Sequence, residues 1–398
     1  MTCCVVTLRP FPDGPVRAPV PESDPVNIAW ALSGHYLSFY TVRRLSDDAL
    51  ARTLAPFEPV IVALDREDVE STWRVVQAAP GQVFTYSEGH IWDYQGLSPT
   101  LQARWVEVLR QVHLNLIYWE RYLPFYRALS PVPVAYLPYP YLVDQAKAHA
   151  VPLEERPALG VVPTGLAGQS RNGLADVLVV QRLWEEGLLS QWLFCPDDEA
   201  FLEDATAVLA LLGLAQEEAR LRMPRPRWSW WRWLVRSGLD YRPLLQWRER
   251  LRSARGQAAL PATVWRPVRE VGFLRRTRWD RYLPHLARAR LLVDLNNRAT
   301  VGRNALDCAA LGVACVSTPA SDLQPVLFPE TTVSDPWAVD EAVALCRRLL
   351  TDEGFYRQVC AQAAERLQAY GPEAFRQRFA QARALALPAV RRAKGAHP

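Results

Sequence analysis

The residues of this 398-residue chain best placed to do chemistry lie in one window, 291–318, which reads LLVDLNNRATVGRNALDCAALGVACVST. Its apolar runs and glycines predict a buried strand, a loop holding Gly302, a short helix over 304–311, Gly312 as a left-handed cap, and a second buried strand. The loop therefore falls past the carboxyl end of a strand and at the start of a helix, where open α/β sheets bind their ligands. Unpaired N–H groups and the helix dipole at such a point attract phosphate. Arg303 adds a fork of donors beside Asn304, and Asp307, one turn into the helix, carries a carboxylate suited to ribose hydroxyls. A plain strand–helix–strand crossover without a ligand has the same pattern, so both readings stand at this level.

Other chemistries lack their signatures. There is no Gly-x-Ser-x-Gly elbow, no Gly-x4-Gly-Lys phosphate loop and no Gly-x-Gly-x-x-Gly fingerprint, which disfavours serine hydrolases, ATPases and ordinary dehydrogenases. The seven cysteines have no Cys-x-x-Cys spacing and read as buried free thiols. Asp47-Asp48 and Asp197-Asp198 imitate a metal-binding pair but read as a solvated turn or helix start. Among the histidines, His90 in TYSEGHIW follows a predicted strand and is the best candidate for a general base, with Glu88 a weaker substitute. A polar loop residue is its other reading. His113 sits at a strand start, His285 inside a helix, and His35, His149 and His397 beside surface turns. No metal site is expected.

These residues need a scaffold, and the chain supplies two α/β series. The length exceeds the ~250–300 residues at which one core stops growing. Apolar residues at 49% and charged residues at 22% suit soluble globular domains. Strands are predicted at 3–8, 59–64, 82–86, 113–118 and 132–137, with a helix over 98–111 whose Leu101, Trp105, Val108 and Leu109 share a face. Prolines 131, 133, 138, 140 and 152 then crowd a stiff connection, placing a boundary near 155. Beyond it come strands at 158–163, 192–195, 291–295 and 313–317, and helices over about 173–186, 200–214 and 279–289. Asp335-Pro336 is expected to start a helix with Val339, Val343, Cys346 and Leu350 as its stripe. Another runs from Asp352 through Phe355, Val359, Ala363 and Leu367 to a stop at Gly371, and a last one covers 372–387.

The order strand, Gly302, four residues, Asp307, Ala309, Gly312, apolar strand resembles the donor-binding segment of group-1, glycogen-synthase-like glycosyltransferases of the GT-B fold. Their pattern is Glu-x-Phe-Gly, four residues, Glu-Ala-Met-Ala-x-Gly-x-Pro-Val-Val. The stretch RRLLTDEGFYRQV and the helix after Gly371 resemble that family's tail, and 158–173 resembles the start of its second domain, with Arg171-Asn172-Gly173 near its Lys-Gly position. The resemblance covers roughly 157–385. It implies two Rossmann-like domains facing a cleft, 1–155 on the acceptor side and 156–371 on the nucleotide-sugar side, with 372–398 crossing back to the first.

The same resemblance implies a hexosyltransferase reaction needing no cofactor. Arg171 and Arg303 would neutralise the diphosphate leaving group beside Asn172, Gly302 and Asn304, Asp307 would hold the ribose, and His90 would act as base if the enzyme inverts. Three departures stand out. The family's first acidic residue falls on Ala299, its proline falls on Ala314, and the first loop, Phe11-Pro12-Asp13-Gly14-Pro15, holds one glycine. Ala299 motivates a second reading, a non-catalytic protein that binds a nucleotide-sugar or glycan.

The net charge of +4 is too small to argue for nucleic-acid binding by the whole molecule, and it is unevenly spread. Of 46 basic residues only Lys147 and Lys394 are lysine, and the stretch 222–256 holds ten arginines and five tryptophans against Asp240 and Glu249. It reads as an insertion: a flap packed on the protein, an anionic membrane contact, or a stacking surface for single-stranded nucleic acid, the last the least favoured. The longest apolar run, 205–215, is too short to span a bilayer. Met1 leads straight into Cys3-Cys4-Val5-Val6 without a basic region, so a cytoplasmic protein is expected, peripheral at the inner face of the membrane if the insertion binds lipid. A glycan or lipid-linked acceptor would fit either place.

Overall fold

The computed structural model describes residues 2–8, 11–21, 24–64, 68–87, 97–164, 166, 172–195, 201–214, 271–274 and 278–386. His90, Glu88, Arg171, Asp197-Asp198 and the Arg/Trp-rich stretch 222–256 lie outside the described residues. The chain divides into two compact units, Met1–Leu142 with Gln368–Pro398, and Val143–Leu367.

The first unit contains, in order, β1 (Cys4–Thr7), β2 (Gly14–Pro15), α1 (Asp24–Ala31), β3 (His35–Ser38), α2 (Phe39–Arg44), α3 (Asp47–Leu54), β4 (Val60–Leu64), α4 (Val69–Ala78), β5 (Val83–Ser87), α5 (Pro99–Gln111), β6 (Leu114–Ile117), α6 (Leu123–Leu129) and β7 (Val134–Tyr136). The strands form one sheet in the order β2-β3-β1-β4-β5-β6-β7, parallel except where β2 meets β3. Every residue of β1, β4, β5 and β6 is buried, which is why these strands read as continuous apolar runs rather than alternating ones. Ser98 caps α5 and Trp105, Val108 and Leu109 bury its inner face. Asp47 and Asp48 open α3 behind the Ser46 cap, and Asp47 pairs with Arg74 at 2.7 Å, so this pair is a helix start.

Two strands of this sheet, the two-residue β2 and β3, escape the sequence pattern. His35, expected beside a surface turn, begins β3, which pairs in register with β1 from Cys4↔His35 to Thr7↔Ser38. Four residues after Gly34 are too few to show a period. Gly34 itself allows the approach, because a Cβ there would come within 2.4 Å of Cys3 Sγ.

The second unit contains α7 (Val143–Lys147), β8 (Leu159–Val162), α8 (Gly173–Glu185), β9 (Gln191–Phe194), α9 (Phe201–Leu211), β10 (Val271–Phe273), α10 (Trp279–Leu286), β11 (Leu291–Asp294), α11 (Arg303–Leu311), β12 (Ala314–Ser317), α12 (Gln324–Leu327), α13 (Val339–Thr351) and α14 (Glu353–Arg366). Its five strands are all parallel in the order β10-β9-β8-β11-β12. The chain order reverses between β8 and β11, so the carboxyl ends of these two neighbours bound the crevice where a doubly wound sheet takes its ligand.

The connection divides earlier than its prolines suggest, since 143–155 belongs to the second unit, where α7 packs on α11. Asp335-Pro336 does not start α13. Asp335 accepts from Trp337 N at 2.8 Å in a tight turn, the helix begins at Val339, and its buried stripe is Ala342, Val343, Cys346 and Leu349. The helix expected from about Asp352 is α14, capped by Asp352, but it ends at Arg366 in a 3-10 turn, Leu367–Tyr370. Gly371, with φ −69°, is instead the residue before α15 (Pro372–Ala384). This last helix belongs to the first unit, where Phe379 lies 6.2 Å from the Phe84 ring and Tyr141 N donates to Tyr370 O.

All seven cysteines are free. Burial pushes the Cys3 thiol up to about 11 and Cys360 up to about 12, so both stay protonated and unreactive at neutral pH. No helix among the described residues is long and apolar enough to cross a membrane.

A buried cation closes the second unit. Arg156, 6% exposed, donates from its guanidinium to the carbonyls of Val151, Ala289, Leu311 and Gly312 and to Tyr356 Oη, at 2.5–3.3 Å. These include the last carbonyls of α11, which lack partners within the helix. Arg156→Met removes the fork and leaves several buried acceptors without donors, at a cost of about 1–3 kcal/mol for each. The urea midpoint is expected to fall sharply with an unchanged slope; an unaltered midpoint would show that these bonds contribute nothing.

Candidate functional site

The site grows from the carboxyl ends of β8 and β11. Each is followed by a loop and a helix, α8 after β8 and α11 after β11. Among the described residues neither N-cap residue, Asn172 or Gly302, makes a side-chain bond to the start of its helix. The first N–H groups of a helix have no partner within it, so both helix starts present donors and the positive end of a dipole at the switch point of the sheet.

Asp176, 1% exposed in the first turn of α8, joins the two halves. Its Oδ2 accepts from Thr164 Oγ1 at 3.0 Å, just past β8, and its Oδ1 accepts from Leu295 N at 2.7 Å, just past β11. Asn172 is buried and donates through Nδ2 to Pro336 O at 2.6 Å, so its amide anchors the 335–338 turn.

The loop between β11 and α11 is braced from outside. Thr300 N donates to Ala320 O, Asp322 N to Thr300 O, and Leu323 N to Val301 O, at 2.8–3.1 Å. Gly302 has φ +86°, and a Cβ there would stand 3.3 Å from Leu323 N, so the turn into α11 needs glycine on both counts. Gly312, φ +66°, is the left-handed cap at the other end. Asn304 Nδ2 donates to Asp294 Oδ2 at 2.8 Å, tying the second residue of α11 back to the last residue of β11.

Arg303 and Asp307 meet through a residue that the sequence reading missed. The Arg303 guanidinium carbon lies 5.7 Å from the centre of the Trp279 ring, and Trp279 Nε1 donates to Asp307 Oδ1 at 2.8 Å. Asp307 is 2% exposed. Its carboxylate therefore fixes an indole on which the arginine rests. Aspartate is one carbon shorter than the glutamate of the resembled pattern, which keeps the charge close to α11. Tyr282 Oη is buried nearby with no hydrogen-bond partner among the described residues, and burial above all, with the Asp307 and Asp294 carboxylates, holds the phenol well above its usual range, so it stays neutral.

Gly302, Arg303, Asn304 and Asp307 thus gather on one loop and helix, while Asn172 begins the neighbouring helix. Ala299 is half-buried in the braced loop and carries no carboxylate. Asp176, Asp294 and Trp279 were missed, although a signal existed: a lone carboxylate inside the apolar runs LADVLVV and LLVDL has to be bonded if it is buried. His113, expected at a strand start, accepts from Val83 N through Nδ1 at 3.1 Å and is structural.

No protein-family model and no curated protein sequence matches the chain. Solved structures do match in fold. An α,α-trehalose 6-phosphate synthase from Burkholderia multivorans aligns over 96% of this chain and 98% of its own, with TM-score 0.62 and 11% identity. Sucrose-phosphate synthase from Thermosynechococcus elongatus aligns over the same shares, with TM-score 0.58 and 13% identity. The fold is GT-B. An E. coli structure described as trehalose-6-phosphate bound with UDP-2-fluoro glucose has TM-score 0.58 and 11% identity over 96% of this chain and 98% of its own. The likeness is one of fold, at 11–13% sequence identity.

The Asp307–Trp279 bond is open to direct measurement. Trp279→Phe keeps a ring under Arg303 and removes the N–H, while Asp307→Ala removes the acceptor. A double-mutant cycle on unfolding free energy is expected to show coupling of about 1 kcal/mol or more, as for groups in direct contact. Strict additivity would contradict the bond.

Proposed function

We propose that the chain is a nucleotide-sugar glycosyltransferase whose donor diphosphate binds at the starts of α8 and α11. The observation that carries this reading is the pair of helix starts, with no side-chain cap among the described residues, over the adjacent strands β8 and β11, held together by Asp176. Arg303 stands at the first position of α11 with its guanidinium over Trp279, and Arg171, next to Asn172 in sequence, is the second arginine proposed for the diphosphate. That the neighbours of this fold include a structure bound with UDP-2-fluoro glucose supports the choice of ligand class.

In the proposed reaction the bond between the sugar's anomeric carbon and the β-phosphate oxygen breaks, and the electron pair leaves with the nucleoside diphosphate. An acceptor hydroxyl oxygen bonds to the anomeric carbon and gives up its proton, to His90 if the configuration inverts. Negative charge grows on the departing phosphate, where arginine and helix dipoles stabilise it more than in the ground state, with no demand for a metal. Asp307 acts through Trp279 on the aim of Arg303. A hexose is the proposed cargo and a glycan or lipid-linked hydroxyl the proposed acceptor, with the stretch 222–256 holding the protein at an anionic membrane surface.

Ala299 supports a second reading, a GT-B protein that binds the nucleotide-sugar and does not turn it over. Hydrolysis and binding of UDP-glucose, ADP-glucose and GDP-mannose separate the two. Turnover of one donor is expected; binding without any turnover favours the second reading, and absence of binding contradicts both. Arg303→Ala is expected to weaken nucleoside diphosphate binding by about 1.5–3 kcal/mol, the range for a hydrogen bond to a charged group. An unchanged dissociation constant by calorimetry would remove Arg303 from the site.

A further inference from the structure

Trp337 is 64% exposed, the most exposed of the large hydrophobic side chains among the described residues, and no part of the proposed donor site uses it. It does not sit on a loose loop. Trp337 N donates to Asp335 Oδ1, Ala338 N to Asp335 O and Val339 N to Trp337 O, at 2.8–3.0 Å, and Glu341 accepts from both Ser334 N and Ser334 Oγ. Asn172 Nδ2 fastens the preceding Pro336 to the start of α8.

The neighbouring surface is apolar as well. Leu174 and Leu178, 51% and 37% exposed, lie one turn apart on α8, and Arg182, one turn further, pairs with Asp340 of α13. Glu186 and Arg347 continue the α8–α13 contact at 2.7 Å. The Asn172–Pro336 and Arg182–Asp340 bonds bracket Leu174 and Leu178, so these two leucines and Trp337 share one face of the helix pair, rimmed by Asp335, Asp340 and Glu341.

We propose that this face is a carbohydrate-binding platform that holds an uncharged saccharide, with a sugar ring stacked on the Trp337 indole. The proposal goes beyond the donor site and does not depend on it. An aromatic face is electron-rich and meets the partly positive C–H groups of a sugar ring, while rim carboxylates accept its hydroxyl protons. The rim decides against other occupants. The rim carries Asp335, Asp340 and Glu341 against the one guanidinium of Arg182 that pairs with Asp340, and this net negative charge disfavours lipid phosphates and nucleic-acid backbones. Three partly exposed side chains fall well short of the ~800 Å² per partner that a stable dimer buries.

Calorimetric titration of the full chain with maltoheptaose, cellohexaose and xylohexaose tests this, with phosphatidylglycerol vesicles as the competing ligand. At least one oligosaccharide is expected to bind, with Trp337→Ala raising its dissociation constant tenfold or more and Trp337→Phe raising it less. UDP binding is expected to stay within twofold in both variants, which separates failure of the platform from failure of the donor site. Absence of binding by all three oligosaccharides, an unchanged constant in Trp337→Ala, or dependence on Trp337 with the vesicles alone would each overturn the proposal.

Discussion

Helix α11 is held at both ends by buried polar side chains, and the candidate site depends on that constraint. Nine residues form too short a helix to be stable alone, so its position must come from tertiary contacts. At its carboxyl end the Arg156 fork takes the carbonyls of Leu311 and Gly312. At its start Asp294 takes the Asn304 amide, and the 300–323 contacts brace the turn through Gly302. In the middle Asp307 holds Trp279. A dipole fixed in this way can meet a developing negative charge without reorganising, which is what electrostatic preorganisation requires.

Asp176 does for the neighbouring strand what Asp294 does for β11. Each is a carboxylate in a nearly dry place: Asp176 accepts a hydrogen bond on both oxygens, whereas Asp294 accepts one on Oδ2 and its buried Oδ1 has no hydrogen-bond partner among the described residues. Asp176 takes one N–H and one hydroxyl from the two loops that flank the switch point, which sets the spacing between the two helix starts. The site is thus assembled from side chains that face inward, behind the surface a ligand would touch.

Much of this was legible in the sequence, for physical reasons that differ by element. In the second unit β8, β11 and β12 are buried along their length and read as apolar runs, whereas the three residues of β10 were too few to be expected, and Gly302 and Gly312 both adopt the left-handed conformation that only glycine takes easily. The helices over 98–111 and from Asp352 were readable from their apolar spacing, and Ser98 and Asp352 cap them in the structure. β3 was not readable, because its pairing with β1 is non-local and four residues carry no period. Asp335-Pro336 imitated a helix start since the same aspartate chemistry closes a turn. The bond of Asp307 to Trp279 was not readable, because Trp279 lies 28 residues away in sequence and cannot be paired with it by spacing.

The most direct test of a nucleotide site at α11 is a crystal structure of the full chain with UDP. The β-phosphate is predicted within hydrogen-bonding distance of the Arg303 and Asn304 backbone N–H groups and of the Arg303 guanidinium, with Trp279 still bonded to Asp307. UDP bound elsewhere, or its phosphates turned away from the starts of α8 and α11, would contradict a donor site built on these two helices.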